Sequence, residues 1–565
     1  MSRNSAIYFT EEAFTTSKTR LLGRHSAGEG FLEAFARYAD IERLYLFAAE
    51  EGGETGFAQI AANLGLDTKS RPTSIIRQIP DPALVQAGAL MLPGPGLHSY
   101  AWRRRRAEQS AFSLCGVTHT TASKLTMEAI GQLLLAPTQE WDALICTSTV
   151  VRDTVDRELN HLKQYFGDRF GARNFPTPQL PIIPLGVNTD RLAPDDAVNR
   201  DARKMWRERL EIADDDVAVL YVGRLSSFGK AHPNAMYIAL EEAAQTVDRK
   251  VHLIQAGWFA NKAIGDSYRE AAQALAPSVT ARFLDGREPD VRFSIWFAAD
   301  IFCSLSDNIQ ETFGLTPIEA MAAGLPVVVS DWNGYRDTVP NEVAGYRVPT
   351  MAPPSGALGE LAWRHEDEVD DYDRYCAHTC LATTVDINAA REAFITLINT
   401  PERRRAMGTA ARRHTVAYYD WRVVIATYQD LWQELGDRRE MAVENAPRKA
   451  GPSNPWQADP FDLFESYPTR QYDRDLRLVR DTARTSGYIG TASRLLINSA
   501  AQAIVGPNLR AQQVFDRIKE APAGVSIGKI LDEAGPEQRF PTWLAIGWLL
   551  KMGFVKPDGD PLSVQ

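Results

Sequence analysis

Ten short apolar runs recur along this chain, each separated from the next by a longer and mostly amphipathic stretch. They cover residues 43–49, 88–93, 111–118, 143–147, 182–187, 217–222, 251–256, 280–284, 300–305 and 326–330. Many are rich in Val, Ile, Leu or Phe and carry no alternating polar residues. A strand with one face in water alternates, whereas a strand covered on both faces does not. The runs therefore read as strands of parallel sheets. The segments between them, such as 235–246, 266–276 and 316–323, read as the covering helices. The expected class is α/β with doubly wound sheets.

Two such sheets are expected, one in residues 1–190 and one in 191–415. The stretch 188–216 contains Pro194, several aspartates and a polar helix, and reads as a linker between them. A helical stretch runs from Pro401 to Leu435 and becomes aromatic near its end, with Tyr418, Tyr419, Trp421, Tyr428 and Trp432. Residues 416–440 are assigned to a terminal helix and linker. Residues 440–455 are polar with three prolines, a second linker signal. Residues 441–565 read as a mainly helical extension, with a helix–turn–helix, winged-helix-like pattern at 524–557.

Apolar residues make up 44% and charged residues 24% of the chain, the balance of a globular protein rather than a disordered or fibrous one. The net charge of −10 argues against nucleic acid as the main partner. Five cysteines cannot build a disulfide framework for 565 residues. Cys115, Cys146 and Cys303 lie in apolar runs, which reads as buried reduced thiols of a cytoplasmic protein. Cys376 and Cys380 have no second Cys or His pair behind them, so no metal site is expected. The N-terminus lacks the apolar core of a signal peptide, and no stretch reaches the roughly 18 apolar residues of a membrane span.

The richest segment for chemistry is 300–339, DIFCSLSDNIQETFGLTPIEAMAAGLPVVVSDWNGYRDTV. A buried strand ends near Ser306, a polar loop carries Glu311, Phe313 and Gly314, and a helix follows. Thr316 suits its N-cap, Pro317 the first helical position, and Glu319 the far side of a capping box. The functional reading uses the same geometry. Ligands bind where strands give way to helices at the C-terminal edge of a parallel sheet. The exposed N–H groups of a helix start attract phosphate. Seven residues separate Glu311 from Glu319, so both can face one ligand lying across that start.

This segment resembles the E-x7-E region of retaining GT-B glycosyltransferases of family 4. The match runs through Glu311, Phe313-Gly314-Leu315, Pro317-Ile318-Glu319-Ala320 and Gly324-Leu325-Pro326-Val327. The resemblance implies a GT-B fold, two Rossmann-like domains facing a cleft, over roughly residues 5–435. It implies that Glu311 holds the donor sugar, Glu319 the nucleotide ribose, and the amides of Gly314, Leu315 and Thr316 the diphosphate. It further implies a terminal helix that crosses back onto the first domain.

Upstream, 217–230 reads VAVLYVGRLSSFGK, a buried strand followed by a glycine, Arg224 and Lys230. The family carries an Arg and a Lys after this strand. A guanidinium fork and an ammonium point charge would compensate a departing diphosphate without a metal. The spacing of Arg224 and Lys230 is one residue longer than the commonest family form. No G-x-G-x-x-G stands here, so a nicotinamide site is not supported. The loop of Gly286 and Arg287 falls where the family reads the nucleobase. His119, at the end of the run 111–118, matches a family histidine beside the donor sugar, and His98 is a weaker alternative. The segment 22–30, LGRHSAGEG, reads as a loop before a helix at 31–38, with Gly30 open to a ligand at the cleft.

Two stretches of the chain are densely charged. Arg103–Arg106 reads as a solvated helix face, with a patch for an anionic acceptor or a peripheral membrane contact as the sharper reading. The acidic stretch 366–373 reads as a solvated insertion. The expected activity is retaining transfer of a hexose from a nucleotide-diphosphate sugar, such as a UDP- or GDP-hexose, to a carbohydrate, lipid-linked or macromolecular acceptor. The rivals are another enzyme on the same fold (an epimerase or phosphorylase), a non-catalytic scaffold, and a nucleic-acid-binding protein led by the C-terminal module.

Overall fold

In the first sheet, β1 (Ala6–Phe9), β2 (Leu44–Ala48), β3 (Thr73–Ile76), β4 (Ala89–Leu92), β5 (Ser113–Val117) and β6 (Ala143–Ile145) lie in the order β3-β2-β1-β4-β5-β6. The second sheet contains β7 (Val217–Val222), β8 (Val251–Gly257), β9 (Thr280–Asp285), β10 (Ile301–Ser304), β11 (Val327–Ser330) and β12 (Gly345–Val348), in the order β12-β11-β10-β7-β8-β9. Both come from a computed structural model, which describes residues 3–15, 23–48, 50, 52–66, 71–442, 453–483, 487–501, 504 and 510–559.

Every pairing in the two sheets is parallel. The two halves therefore share one topology. In each, the chain starts at the centre, winds outward, returns to the centre and winds the other way. The reversal lies between β1 and β4 in the first half and between β7 and β10 in the second. All residues of β2, β5, β8, β10 and β11 are buried, because helices cover both faces, and this is why those runs do not alternate. The expected α/β class with two Rossmann-like sheets is what the chain forms.

Some elements differ from the sequence reading. Residues 182–187 do not form a strand; they make only isolated bridges, Cys146 with Ile182 and Val187 with Asp420. Pro181 precedes this run and Pro184 lies within it, and neither can donate to a ladder. Strands β1, β3 and β12 lie outside the ten runs; each has positions that are only half-buried, unlike the fully buried β4, β10 and β11 of the same length. The stretch 188–216 is not a loose linker. Its helix Ala197–Arg209 buries Trp206 in the second core, and Arg203 and Arg207 hold the Asp300 carboxylate at 2.8 and 3.0 Å.

The chain passes between the halves twice, and the two passages bond to each other. The Val187 N–H donates to the Tyr419 carbonyl at 2.8 Å, and the Trp421 N–H donates to the Val187 carbonyl at 3.2 Å. The Thr189 hydroxyl donates to the Asp420 carboxylate beside them. Asp420 also caps the helix Trp421–Met441 through the Arg422 N–H. That helix lays Trp421, Tyr428 and Trp432 against Phe31 and Phe35 of the helix Gly23–Tyr38, with ring centroids 5.1–6.3 Å apart. Gly186 faces the Trp421 ring so closely that an added Cβ would stand 2.4 Å from it.

The run Arg103–Arg106 is not one solvated face. Arg104 is fully buried against Asp142, Arg103 stacks over Tyr100 and Arg105 over Trp102. The acidic stretch 366–373 is not simply solvated either. Asp370 is 1% exposed, and the Arg364 guanidinium and His378 hold its carboxyl down at about 2.

Residues Gln457–Gln565 form a second compact unit. Arg477–Arg480 is the middle strand of a three-stranded antiparallel sheet, between Val525–Ser526 and Val555–Pro557. The helices Arg510–Lys519, Ile527–Ala534 and Arg539–Lys551 close over it around Leu478, Phe515, Leu531 and Leu549. No helix among the described residues is long and apolar enough to cross a membrane.

Candidate functional site

The loops that leave β7 and β10 lie side by side, because these strands are neighbours at the point where the second sheet reverses direction. A crevice opens at that point in open parallel sheets. The loop after β7 carries Arg224 and Lys230, and the loop after β10 carries Asp307, Asn308, Gln310 and Glu311.

The two loops are laced together. Lys230 Nζ lies 3.1 Å from Glu311 Oε2, and the Glu311 side chain is 11% exposed. The Arg224 guanidinium donates to the Gly229 carbonyl at 3.1 Å and to Gln310 Oε1 at 2.9 Å. The Ser306 hydroxyl donates to the Lys230 carbonyl at 3.1 Å, and the Asn308 amide donates to the Phe228 carbonyl. Burial alone would raise the Glu311 carboxyl. The Lys230 charge and hydrogen bond, with the Phe313 and Thr312 N–H groups, pull it below the usual carboxylate range. Asp307 has no such cation, and burial raises it to about 7.

The helix after this loop is Leu315–Ala322, two residues earlier than Thr316 would allow as a cap. Gly314 takes the N-cap position at φ +90°, a left-handed conformation that suits glycine. A Cβ there would also meet the Tyr335 ring at 2.1 Å. No side chain caps this helix, so the capping-box expectation for Thr316 and Glu319 does not hold. Glu319 makes no side-chain hydrogen bond among the described residues. Burial raises its carboxyl to about 7, opposed only by the Arg292 charge.

This shift has a sign that can be measured. The folded chain keeps the Glu319 proton up to about pH 7, while the unfolded chain releases it near 4.5. The native state binds more protons in that window, so this group's contribution to stability falls as pH rises through it. The melting temperature of the wild type should drop relative to Glu319→Gln by a few degrees between about pH 5 and 7.5. Parallel curves would mean that Glu319 titrates as an exposed carboxylate.

His119 follows β5 of the first half and reaches the same place from the other side. Its backbone carbonyl accepts from the Thr312 hydroxyl at 3.1 Å, and the Ser148 hydroxyl donates to the Thr312 carbonyl at 3.0 Å. Burial, with the Arg24 charge second, pushes the His119 imidazole down to about 4, so it is neutral at neutral pH. His98 lies near the start of the helix Leu97–Arg104. The preceding loop approaches β5 closely, since a Cβ on Gly116 would stand 2.4 Å from the Gly94 carbonyl oxygen.

Gly286 follows β9, and its N–H donates to the Gly257 carbonyl at 2.9 Å. The Arg287 guanidinium is engaged with Asp285, the closest approach being 2.6 Å. Gly28 and Gly30 are not in a loop. Both lie inside the helix Gly23–Tyr38, where a Cβ would meet the Ala13 carbonyl oxygen at 2.1 Å and the Trp421 ring at 3.1 Å, respectively. These glycines let the helix pack closely; the sequence reading of Gly30 as an open ligand approach is corrected.

Sequence reasoning missed Asp307, Gln310, Tyr335 and Tyr372. Asp307 and Gln310 flank the Glu311 motif, so their position was the available signal. Tyr335 follows the Asn333-Gly334 turn after β11 and touches Ser304 at 2.8 Å between hydroxyls. Tyr372 comes from a distant insertion and carried no local signal. Among the described residues, no group of His, Cys, Asp and Glu is placed to hold a metal ion.

Two Rossmann-like sheets, with the candidate site at the reversal point of the second, define a chain of the GT-B type. Residues 202–356 match the family model "Glycosyl transferases group 1", and through this segment the chain is a homologue of that family. Every donor-side candidate from Arg224 to Glu319 lies inside the matched segment; His119 and Gly30 lie outside it. The chain is 31% identical over 194 residues to a D-inositol 3-phosphate glycosyltransferase of Geodermatophilus obscurus, covering 33% of this chain and 40% of that one. It is 26% identical over 273 residues to the protein of the same name from Salinispora tropica, covering 47% and 56%. The chain thus spans about half the length of the curated relatives it matches. Among solved structures, the sucrose-phosphate synthase of Thermosynechococcus elongatus is 18% identical, with a TM-score of 0.47 over 77% of this chain and 99% of that one. The HepE protein of Anabaena, solved with UDP and glucose, is 15% identical, with a TM-score of 0.44 over 76% and 98%.

Proposed function

We propose that this protein is a retaining glycosyltransferase that moves a hexose from a nucleotide-diphosphate sugar to an acceptor hydroxyl. The observation that carries this reading is the Lys230–Glu311 pair, with Arg224 beside it, at the reversal point of the family-matched sheet. The donor diphosphate sits over the amides of Gly314, Leu315 and Thr316, where the helix N-terminus favours negative charge. Glu319 accepts from the ribose, Glu311 orients the sugar, and His119 faces it from the first half. Gly286 and the backbone of Arg287 border the base.

In the transfer itself, the bond from the anomeric carbon to the diphosphate oxygen breaks. The acceptor oxygen bonds to that carbon on the same face. The acceptor proton passes to the leaving phosphate. Arg224 and Lys230 stabilise the charge that grows on the diphosphate, and they do so in a partly desolvated place where such charges act strongly. The acceptor lies on the first half, and the D-inositol 3-phosphate glycosyltransferases among the relatives make D-inositol 3-phosphate the first acceptor to try.

The test is a panel of UDP-, GDP- and ADP-sugars, read by thermal shift and by slow sugar release, with Glu311→Ala alongside. One nucleotide should stabilise the wild type, and sugar release should fall about tenfold in the variant, as befits the loss of one charged hydrogen bond. Failure of every donor to stabilise the wild type would overturn the reading.

A further inference from the structure

Between β12 and the helix Ile387–Asn399 the chain makes a clasped insertion. Thr350–Met351 pairs antiparallel with Thr384–Val385, and residues 352–383 hang from this ribbon. The insertion contains the helix Tyr372–Leu381, which Asp371 caps by accepting from the Arg374 N–H. Its inner face buries Cys376 and Cys380, and the Cys380 thiol donates to the Ser227 carbonyl at 3.5 Å. The helix is thereby fixed against the loop that carries Arg224 and Lys230.

At the first position of this helix stands Tyr372. Its hydroxyl accepts from Gln310 Nε2 at 2.9 Å, and Gln310 Oε1 in turn accepts from the Arg224 guanidinium at 2.9 Å. The Thr120 side chain stands beside the same hydroxyl. Thr120 belongs to the first half and is the neighbour of His119. The relay therefore runs Thr120, Tyr372, Gln310, Arg224, from one half of the molecule to the guanidinium of the other. Close by, the Thr312 hydroxyl joins the His119 carbonyl at 3.1 Å.

We infer that Tyr372 is a positioning residue that reports domain closure to Arg224. When the halves meet, Thr120 engages the Tyr372 hydroxyl, which holds the Gln310 amide in the orientation that aims Arg224. When they part, Gln310 loses its fixed partner geometry and Arg224 is free to turn. The effect falls on turnover more than on donor binding, because the Arg224 charge counts most as charge grows on the leaving diphosphate. This inference rests on the glycosyltransferase reading for the task of Arg224, but the tie between the halves stands apart from it.

Two measurements separate these parts. The first is amide hydrogen exchange at residues 118–121 and 308–312 in the ligand-free protein, comparing wild type with Tyr372→Phe. The phenyl ring keeps the packing, so the melting temperature should hold while exchange in both segments rises. Unchanged exchange would overturn the tie. The second is turnover. Tyr372→Phe and Thr120→Val should each lower kcat about five- to tenfold with the donor dissociation constant unchanged, and the double variant should be no worse than either alone. A kcat equal to wild type, a matching loss of donor affinity, or additive losses in the double variant would overturn the positioning role. If the wild type turns over no donor while exchange rises as expected, the enzymatic reading fails and the tie survives.

Discussion

Lys230→Ala should lower kcat about 10²- to 10³-fold, the largest loss of activity expected from any single change in this protein. Two effects combine. The diphosphate loses a point charge that matters most in the transition state, and Glu311 loses its counter-ion. The Glu311 side chain is 11% exposed, and the Lys230 charge is the chief influence holding its carboxyl low. Without the ammonium, burial pushes the carboxyl up and Glu311 loses the partner that fixes it, so one substitution perturbs both groups. Lys230→Arg keeps the charge and should recover most of the rate. Binding of the donor should weaken far less than turnover, because the missing interaction grows as the bond breaks. A variant with wild-type kcat, measured with saturating donor, would remove Lys230 from the mechanism.

Arg104→Met should destabilise the first half by about 3–5 kcal/mol, seen as a lower midpoint in urea. Both members of the Arg104–Asp142 pair are 0% exposed, and they meet through two contacts of 2.6 and 2.8 Å. Arg104 also donates to the Phe112 carbonyl at 2.9 Å, while Asp142 accepts from the Leu114 and Gln139 N–H groups at 2.8 Å each. The pair thus ties the helix Leu97–Arg104 to both β5 and the turn before β6. Removing the guanidinium leaves a carboxylate in a dry interior with only two amide donors. Adding Asp142→Asn to the variant removes that stranded charge and should restore part of the loss. An unchanged midpoint in Arg104→Met would show that the buried pair contributes nothing net.

The parts of the site that were legible in the sequence are those set by local chain direction. A buried run ending in glycine and cations, and a second run ending in Glu311, both announce loops at a sheet edge. Their pairing across 81 positions follows from the strand order, which two repeated β-α series imply. What stayed hidden depends on distant partners. Gly28 and Gly30 carry the composition of a loop, yet they serve close packing of a helix on Ala13 and Trp421. Thr316 has good capping chemistry, but Gly314 turns left-handed first and starts the helix before it. Arg104 looks like its arginine neighbours until the helical repeat rotates it inward. Tyr372 lies within an acidic stretch, and only the folded insertion brings its hydroxyl to Gln310.

The paired passages at Val187 and Tyr419–Trp421 govern how the halves can move. A single connecting strand would permit twisting as well as bending, in any direction. Here two passages running parallel to each other are stitched together at Val187, and the second is anchored at once by the Trp421 ring against Gly186 and Gly30. Such a two-ply joint resists torsion and leaves one axis of rotation, like a door on its hinge. Closure then needs no search over orientations, because His119 and Thr120 travel a single arc toward Thr312 and Tyr372.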